Sequence, residues 1–181
     1  MDFFEKTLKS ETKFKGRIIE VVVEDIELSD GSKSTREIVK HNGGVCVLVL
    51  DDENNVYFVK QFRSPYKEVL LEVPAGKLEI GEDPFEAVKR EQREETGTVG
   101  KNYVYLGDLY PTPGYCGEVI RIWACRIDGF CDTDLDEGEF VEVEKIPFEK
   151  ALEMVMNNEI PDAKTQIAIL KTAILLQNSD I

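Results

Sequence analysis

Between Arg90 and Glu95 the chain reads REQREE. Glu91, Glu94 and Glu95 stand three and four positions apart, so a helix sets three carboxylates on one face within about one turn. Exposed to water, such an arrangement costs little. Partly buried, with carboxylates roughly 5–6 Å apart and an effective dielectric of about 20, the repulsion rises to about 3 kcal/mol per pair. A hard divalent cation reverses the sign of that term. Oxygen ligands with open positions suit Mg²⁺ or Mn²⁺, which keep several waters and bind through few carboxylates plus a ligand's phosphates. Glu86, Arg90 and Glu94 also fit a ladder of alternating charge at i,i+4 spacing, so Glu94 is open to either reading. Glu91 and Glu95 have no basic residue three or four positions away, and Ala87 and Val88 place Glu91 beside an apolar flank.

The elements that must carry these residues are legible around them. Asp83, Pro84 and Glu86 supply an N-cap, a proline at the first helical position and the third-position glutamate of a capping box, so a helix is expected from Pro84. Gly97 is its expected stop. Upstream, RIIEVVVEDIEL, the turn SDGS and TREIVKH read as a hairpin. GVCVLVL is a continuous apolar run typical of a strand covered on both faces, and DENN turns it into VYFVKQFR. EVLLEVPAG, YVYLGDLY, EVIRIWACRI and FVEVEKI read as further strands, while PFEKALEMVMNN and DAKTQIAILKTAILLQN carry apolar residues at helical spacing. The expected architecture is α/β: a mixed sheet with helices on its faces (residues 43–181), preceded by a small antiparallel strand domain (residues 1–42).

Composition limits the partners. With 36 acidic against 22 basic residues the net charge is −14 and no Lys/Arg block occurs, which argues against nucleic acid. The N-terminal stretch MDFFEKTLKSETKFKG is charged throughout, and the run Val45 to Leu50 is too short to span a bilayer. A soluble, cytoplasmic protein with no membrane partner is expected. Cys46, Cys116, Cys125 and Cys131 show no CxxC spacing and the chain has one histidine, His41, next to the turn pair Asn42-Gly43, so neither a disulfide framework nor a zinc site is indicated.

Gly76, five residues, Glu82, seven residues, Arg90-Glu91, two residues, Glu94-Glu95, one residue and Gly97 resemble the Nudix box at every charged and glycine position. Gln92 and Thr98 depart from it, standing where aliphatic residues are usual. The flanking VKQFR, LLEVPAGKLEIGE, YPTPGY, DLDEGEFVEV and NNEIPDAKT are similar to the bacterial ADP-ribose pyrophosphatases of that family. The resemblance implies a Nudix α/β/α sandwich after an N-terminal strand domain that serves dimerisation and the adenine side of the substrate site. It implies metal ligation by Glu91, Glu95 and the Ala75 carbonyl, with Arg90 orienting the glutamates, Glu94 a further or indirect ligand and Glu82 in support. Arg63 is implied on the diphosphate side of the substrate and Arg36 near the adenine; Arg17 falls where relatives often carry a stacking aromatic.

The implied reaction is hydrolysis of the pyrophosphate bond of ADP-ribose, giving AMP and ribose 5-phosphate, with Mg²⁺ or Mn²⁺ as cofactor. Alternatives are another nucleotide sugar or dinucleotide as substrate, or a module that senses a nucleotide without cleaving it. The acidic loop GFCDTDLDEGE corresponds to one that carries a base in relatives; the role falls on Glu137, with Glu139 or Glu94 as the other candidates and Gly138 lending the loop freedom. A homodimer is expected, because Ile18, Val21, Val23, Ile26 and Ile38 of the hairpin have too little core of their own.

Overall fold

The computed structural model describes residues 2–135, 138, 140–178 and 181. The chain runs β1 (Lys6–Lys15), β2 (Glu20–Glu27), β3 (Lys33–Lys40), β4 (Gly44–Leu50), β5 (Asn55–Arg63), β6 (Glu68–Glu72), β7 (Ala75–Lys77), α1 (Pro84–Thr96), β8 (Thr98–Leu109), β9 (Ile120–Phe130), β10 (Val141–Pro147), α2 (Phe148–Met156) and α3 (Ala163–Asn178). It divides into two compact units, Met1–Gly43 with Tyr110–Val119, and Gly44–Leu109 with Ile120–Ile181.

The first unit is a three-stranded antiparallel sheet in the order β1-β2-β3. The β2–β3 hairpin forms over the expected Asp-Gly turn, with Gly31 at φ 83. Strand β1 carries no strand signal in its sequence. Its sequence KTLKSETKFK has no apolar alternation, every residue is exposed, and it is held by backbone pairing to β2 and by Thr7 and Thr12 hydroxyls donating to Glu24 and Glu20 at 2.9 Å. Its four lysines suit an edge strand. The segment Tyr110–Val119 belongs to this unit, whereas the sequence pattern places residues 43–181 together in the other. Val39 explains this: its N–H donates to the Tyr115 carbonyl at 2.8 Å, and its carbonyl accepts from Gly117 N–H at 2.9 Å.

The second unit is a seven-stranded mixed sheet, β10-β5-β4-β9-β8, with β6 on β5 and β7 on β4. Strand β4 is parallel to β9 and buried along its whole length, as a strand covered on both faces must be. Cys46, Leu48 and Leu50 pack with Phe148, Ala151 and Val155 of α2 and Ala168 and Ile169 of α3. Val45, Val47 and Val49 pack instead with Ala87 and Val88 of α1. The two-residue period of one strand thus distributes helices to both faces, each buried Val or Leu contributing about 1.5–3 kcal/mol.

Helix α1 begins and ends as its sequence dictates. Asp83 Oδ1 accepts from the N–H groups of Phe85 and Glu86 at 2.9 and 3.1 Å, and Gly97, at φ 61, donates its N–H to the Arg93 carbonyl. Glu86 pairs with Lys89 at 2.8 Å, where a capping box would turn it back to the N-cap. The two departures from the family pattern compensate each other under this helix. Gln92, fully buried, donates to Thr98 Oγ1 at 3.0 Å and accepts from Tyr103 Oη at 2.6 Å and Cys125 Sγ at 3.4 Å. Burial pushes the Cys125 thiol up to about 12 and the Tyr103 hydroxyl upward as well, so both remain protonated donors at neutral pH. Gln92→Leu should therefore cost about 1–3 kcal/mol by stranding these partners, and Gln92→Leu combined with Thr98→Val and Tyr103→Phe should recover part of the loss, read from urea unfolding midpoints.

Candidate active site

The site is assembled where β7 passes under α1. The Pro74 carbonyl accepts from Val47 N–H at 3.0 Å, and alternation along the strand then turns the N–H and C=O of Ala75 away from β4. That N–H donates to Glu95 Oε2 at 2.9 Å. Glu95, 3% exposed, is therefore seated by backbone. The next residue, Gly76, lies directly beneath Glu91: a Cβ built there would come within 1.8 Å of Glu91 Oε1. Only a glycine admits the carboxylate to this position. Two carboxylates and the Ala75–Gly76 peptide thus come together, an all-oxygen donor set that fits a hard divalent cation with positions left for waters and phosphate. Among the described residues, no three Asp, Glu, His or Cys side chains are gathered into a metal cage. The two-carboxylate set leaves room for a ligand.

Arg90 supplies the compensating charge. Its guanidinium donates to Glu82 through Nε at 3.0 Å and Nη2 at 3.2 Å, and through Nη1 to Glu91 Oε1 and Glu94 Oε2, both at 2.9 Å. The hydrogen bonds to Glu82 hold Arg90 well above its ordinary value against the opposing effect of burial, and the same bonds lower Glu82. The expected Glu86–Arg90–Glu94 ladder is half realised. Glu82, on the loop before the helix, offers two oxygens to the planar fork and displaces Glu86, which Lys89 takes. Glu91, expected to lack a basic neighbour at helical spacing, is reached by the adjacent Arg90 because a long side chain can fold along its own turn.

Arg63 stands at the end of β5 in the same unit, forked onto Glu72 through Nε at 2.6 Å and Nη2 at 2.5 Å. Sequence reasoning missed Glu72 and its second partner Lys164. The available signal was a lone carboxylate between Leu71 and Val73 in an apolar strand, two residues before Pro74. Arg36 and Arg17 lie in the other unit: Arg36 on β3, forked onto Glu5 at 2.5 and 3.0 Å, and Arg17 exposed in the turn after β1. Glu137 and Glu139 lie outside the described residues. The stem of their loop is fastened to the end of α1, with Cys131 N–H donating to the Gly97 carbonyl at 2.8 Å and Asp134 N–H to the Glu94 carbonyl at 3.2 Å.

A helix that ends in paired glutamates, one of them seated over a glycine whose missing Cβ makes room for it, is an arrangement able to hold a hard divalent cation. A family model described as NUDIX domain matches residues 40–166, and one described as nucleoside diphosphate sugar hydrolase N-terminal domain matches residues 5–39. The chain belongs to the Nudix hydrolase family. It is 43% identical over 167 residues to the ADP-ribose pyrophosphatase of Bacillus subtilis (strain 168), covering 91% of this chain and 90% of that one. It is 39% identical over 171 residues to the methanol dehydrogenase activator of Bacillus methanolicus, covering 92% and 91%. A crystal structure of an ADP compounds hydrolase superposes with a TM-score of 0.85 at 19% identity, covering 99% of this chain and 98% of that one, a likeness of fold. Divalent-metal dependence is general to the family.

Gly76→Ala should leave the fold intact, because the obstructed atoms are the far end of a flexible side chain, and should displace the Glu91 carboxylate. Mn²⁺ titrated by electron paramagnetic resonance should bind more than tenfold more weakly than to the unsubstituted protein, with near-UV circular dichroism unchanged.

Proposed function

We propose that the protein hydrolyses ADP-ribose at its pyrophosphate bond, giving AMP and ribose 5-phosphate. The observation that carries the reaction class is the convergence of Glu91 and Glu95 on the Ala75–Gly76 peptide. The substrate rests on the similarity to a protein named ADP-ribose pyrophosphatase over nearly the whole chain. Glu91, Glu95 and the Ala75 carbonyl would hold Mg²⁺ or Mn²⁺. When bound, the ion supplies charge neutralisation at the diphosphate and acidifies the attacking water.

The remaining steps belong to side chains. Arg90 fixes Glu91 and Glu94 in rotamers that would otherwise repel one another, and Glu82 fixes Arg90. Arg63 binds the diphosphate through the N–H groups its fork with Glu72 leaves over. Glu137 takes the proton from the water as its oxygen attacks phosphorus and the bridging P–O bond breaks; Glu139 is a second ligand or the alternative base, and Glu94 the base if neither serves. The attachment of the loop stem to α1 supports this assignment. Arg36 and Arg17 are assigned to the adenine side of the substrate site.

The test is a panel of ADP-ribose, GDP-mannose and other nucleoside diphosphate derivatives with Mg²⁺ and Mn²⁺, products separated by chromatography. ADP-ribose should be turned over fastest, and chelation should abolish turnover. Equal or greater turnover of GDP-mannose overturns the substrate, and no turnover of any dinucleotide overturns the reaction. Glu91→Gln and Glu95→Gln should each remove most activity. Glu137→Gln should lower kcat by about 10² to 10⁴ with KM little changed, the usual contribution of a general base, and Glu139→Gln should cost less.

We further propose a homodimer formed through the N-terminal strand unit. Val22 and Ile26 are its fully buried apolar side chains among the described residues, while Phe3, Phe4, Leu8, Phe14, Ile18 and Ile19 are exposed, which supports burial of this unit against a second copy. Sedimentation equilibrium at micromolar concentration should give twice the chain mass; a monomer overturns the assembly.

A further inference from the structure

Arg63 is one end of a chain of alternating charges that leads away from the glutamate helix into the α3 side of the fold. Its Nε and Nη2 fork onto Glu72, which is 1% exposed. Lys164 Nζ donates to Glu72 Oε2, the oxygen that Arg63 Nη2 also occupies, and to Asp162 Oδ1 at 3.1 Å. Asp162 caps α3 through Oδ2, which accepts from Thr165 N–H at 3.0 Å and Thr165 Oγ1 at 2.6 Å. Burial opposes charge on both Glu72 and Lys164. Even so, Arg63 and Lys164 hold the Glu72 carboxyl below its ordinary range, and Asp162 and Glu72 hold the Lys164 ammonium above its own.

The geometry separates two jobs. The Arg63 side chain is 36% exposed, and the fork leaves its Nη1 edge outside the Glu72 contact. Lys164 is 10% exposed in its side chain and is committed to the buried Glu72 and the half-buried Asp162. A single carboxylate can turn about its last bond and take a forked arginine with it. A second cation on one of its oxygens, itself fixed to a helix cap, removes that freedom.

We propose that Lys164, acting through Glu72, is a positioning residue that sets the plane of the Arg63 guanidinium so that its Nη1 edge meets the substrate diphosphate. This rests on the assignment of Arg63 to the diphosphate. The ammonium itself touches no substrate atom; it fixes the orientation of the group that does.

Two measurements test it. The first is independent of substrate: the Hε signal of Arg63 in the ¹⁵N-labelled protein, assigned by its loss in Arg63→Lys. It should exchange slowly with solvent in the unsubstituted protein and more than tenfold faster in Lys164→Met; an unchanged rate overturns the proposal. The second is kinetic. Lys164→Met should raise KM for ADP-ribose at least tenfold while kcat stays within threefold, and the variant should lose little more when Arg63→Ala is added.

Because Lys164→Met alone leaves a buried carboxylate short of a partner, the paired variant Glu72→Gln with Lys164→Met removes the buried Glu72–Lys164 charge pair, with near-UV circular dichroism as the check on its fold. A positioning role keeps its KM raised at least tenfold. Return of KM to within twofold of the unsubstituted protein means that the network serves the fold alone and overturns the proposal. Failure of the unsubstituted protein to hydrolyse ADP-ribose refutes the substrate assignment instead, and the Arg63 exchange rate still decides the positioning.

Discussion

The Arg90 guanidinium is the interaction on which the glutamate helix depends. Three carboxylates from two elements, Glu82 on the loop and Glu91 and Glu94 on α1, share this one cation. Without it the helix would carry like charges at helical spacing against a half-buried surface, and the repulsion would favour rotamers that splay them apart. A planar fork with five donors can satisfy all three acceptors in one geometry; an ammonium on a flexible stem would satisfy them in many. Glu95 is excluded from this cluster. It is held by the Ala75 N–H, so the two candidate ligands of the helix are fixed by different means, one by a side-chain cation and one by backbone.

Much of the fold is legible because its signals are local. The Asp83 cap, the Gly97 stop and the unbroken apolar run of β4 each specify a conformation from a few residues, and each appears at its expected place. Strand β1 is not legible for the same reason inverted. It is an exposed edge whose stabilisation is backbone pairing, which leaves no pattern in side-chain type. The Tyr110–Val119 segment is hidden similarly, since what attaches it to the first unit is a pair of main-chain hydrogen bonds to Val39.

The candidate site shows a parallel division. Spacing alone isolates Glu91 and Glu95, because charge repulsion on a helix is a local quantity. It cannot foresee that Arg90 abandons Glu86 for Glu82, since that depends on where a loop folds back. Nor can it find Lys164, which lies 92 positions from the carboxylate it supports. Gln92 and Thr98 are instructive in the other direction: taken singly each is a polar residue at an apolar position, and only the structure shows that they satisfy one another together with Tyr103 and Cys125.

The five residues from Glu72 to Gly76 explain why a site built on a short strand can be rigid. Glu72 is fixed through its side chain by Arg63 and Lys164. The Val73 N–H donates to Thr165 Oγ1 at 2.9 Å, so the cap of α3 holds the backbone one residue further on. Pro74 has no N–H to satisfy, and its carbonyl is taken by β4. The Ala75 N–H is taken by Glu95, and Gly76 yields the space that Glu91 fills. Successive residues are thus anchored to β5, α3, β4 and α1 in turn. Such a segment cannot shift at one position without breaking a contact to a different element, and the Ala75 carbonyl inherits its placement from all of them.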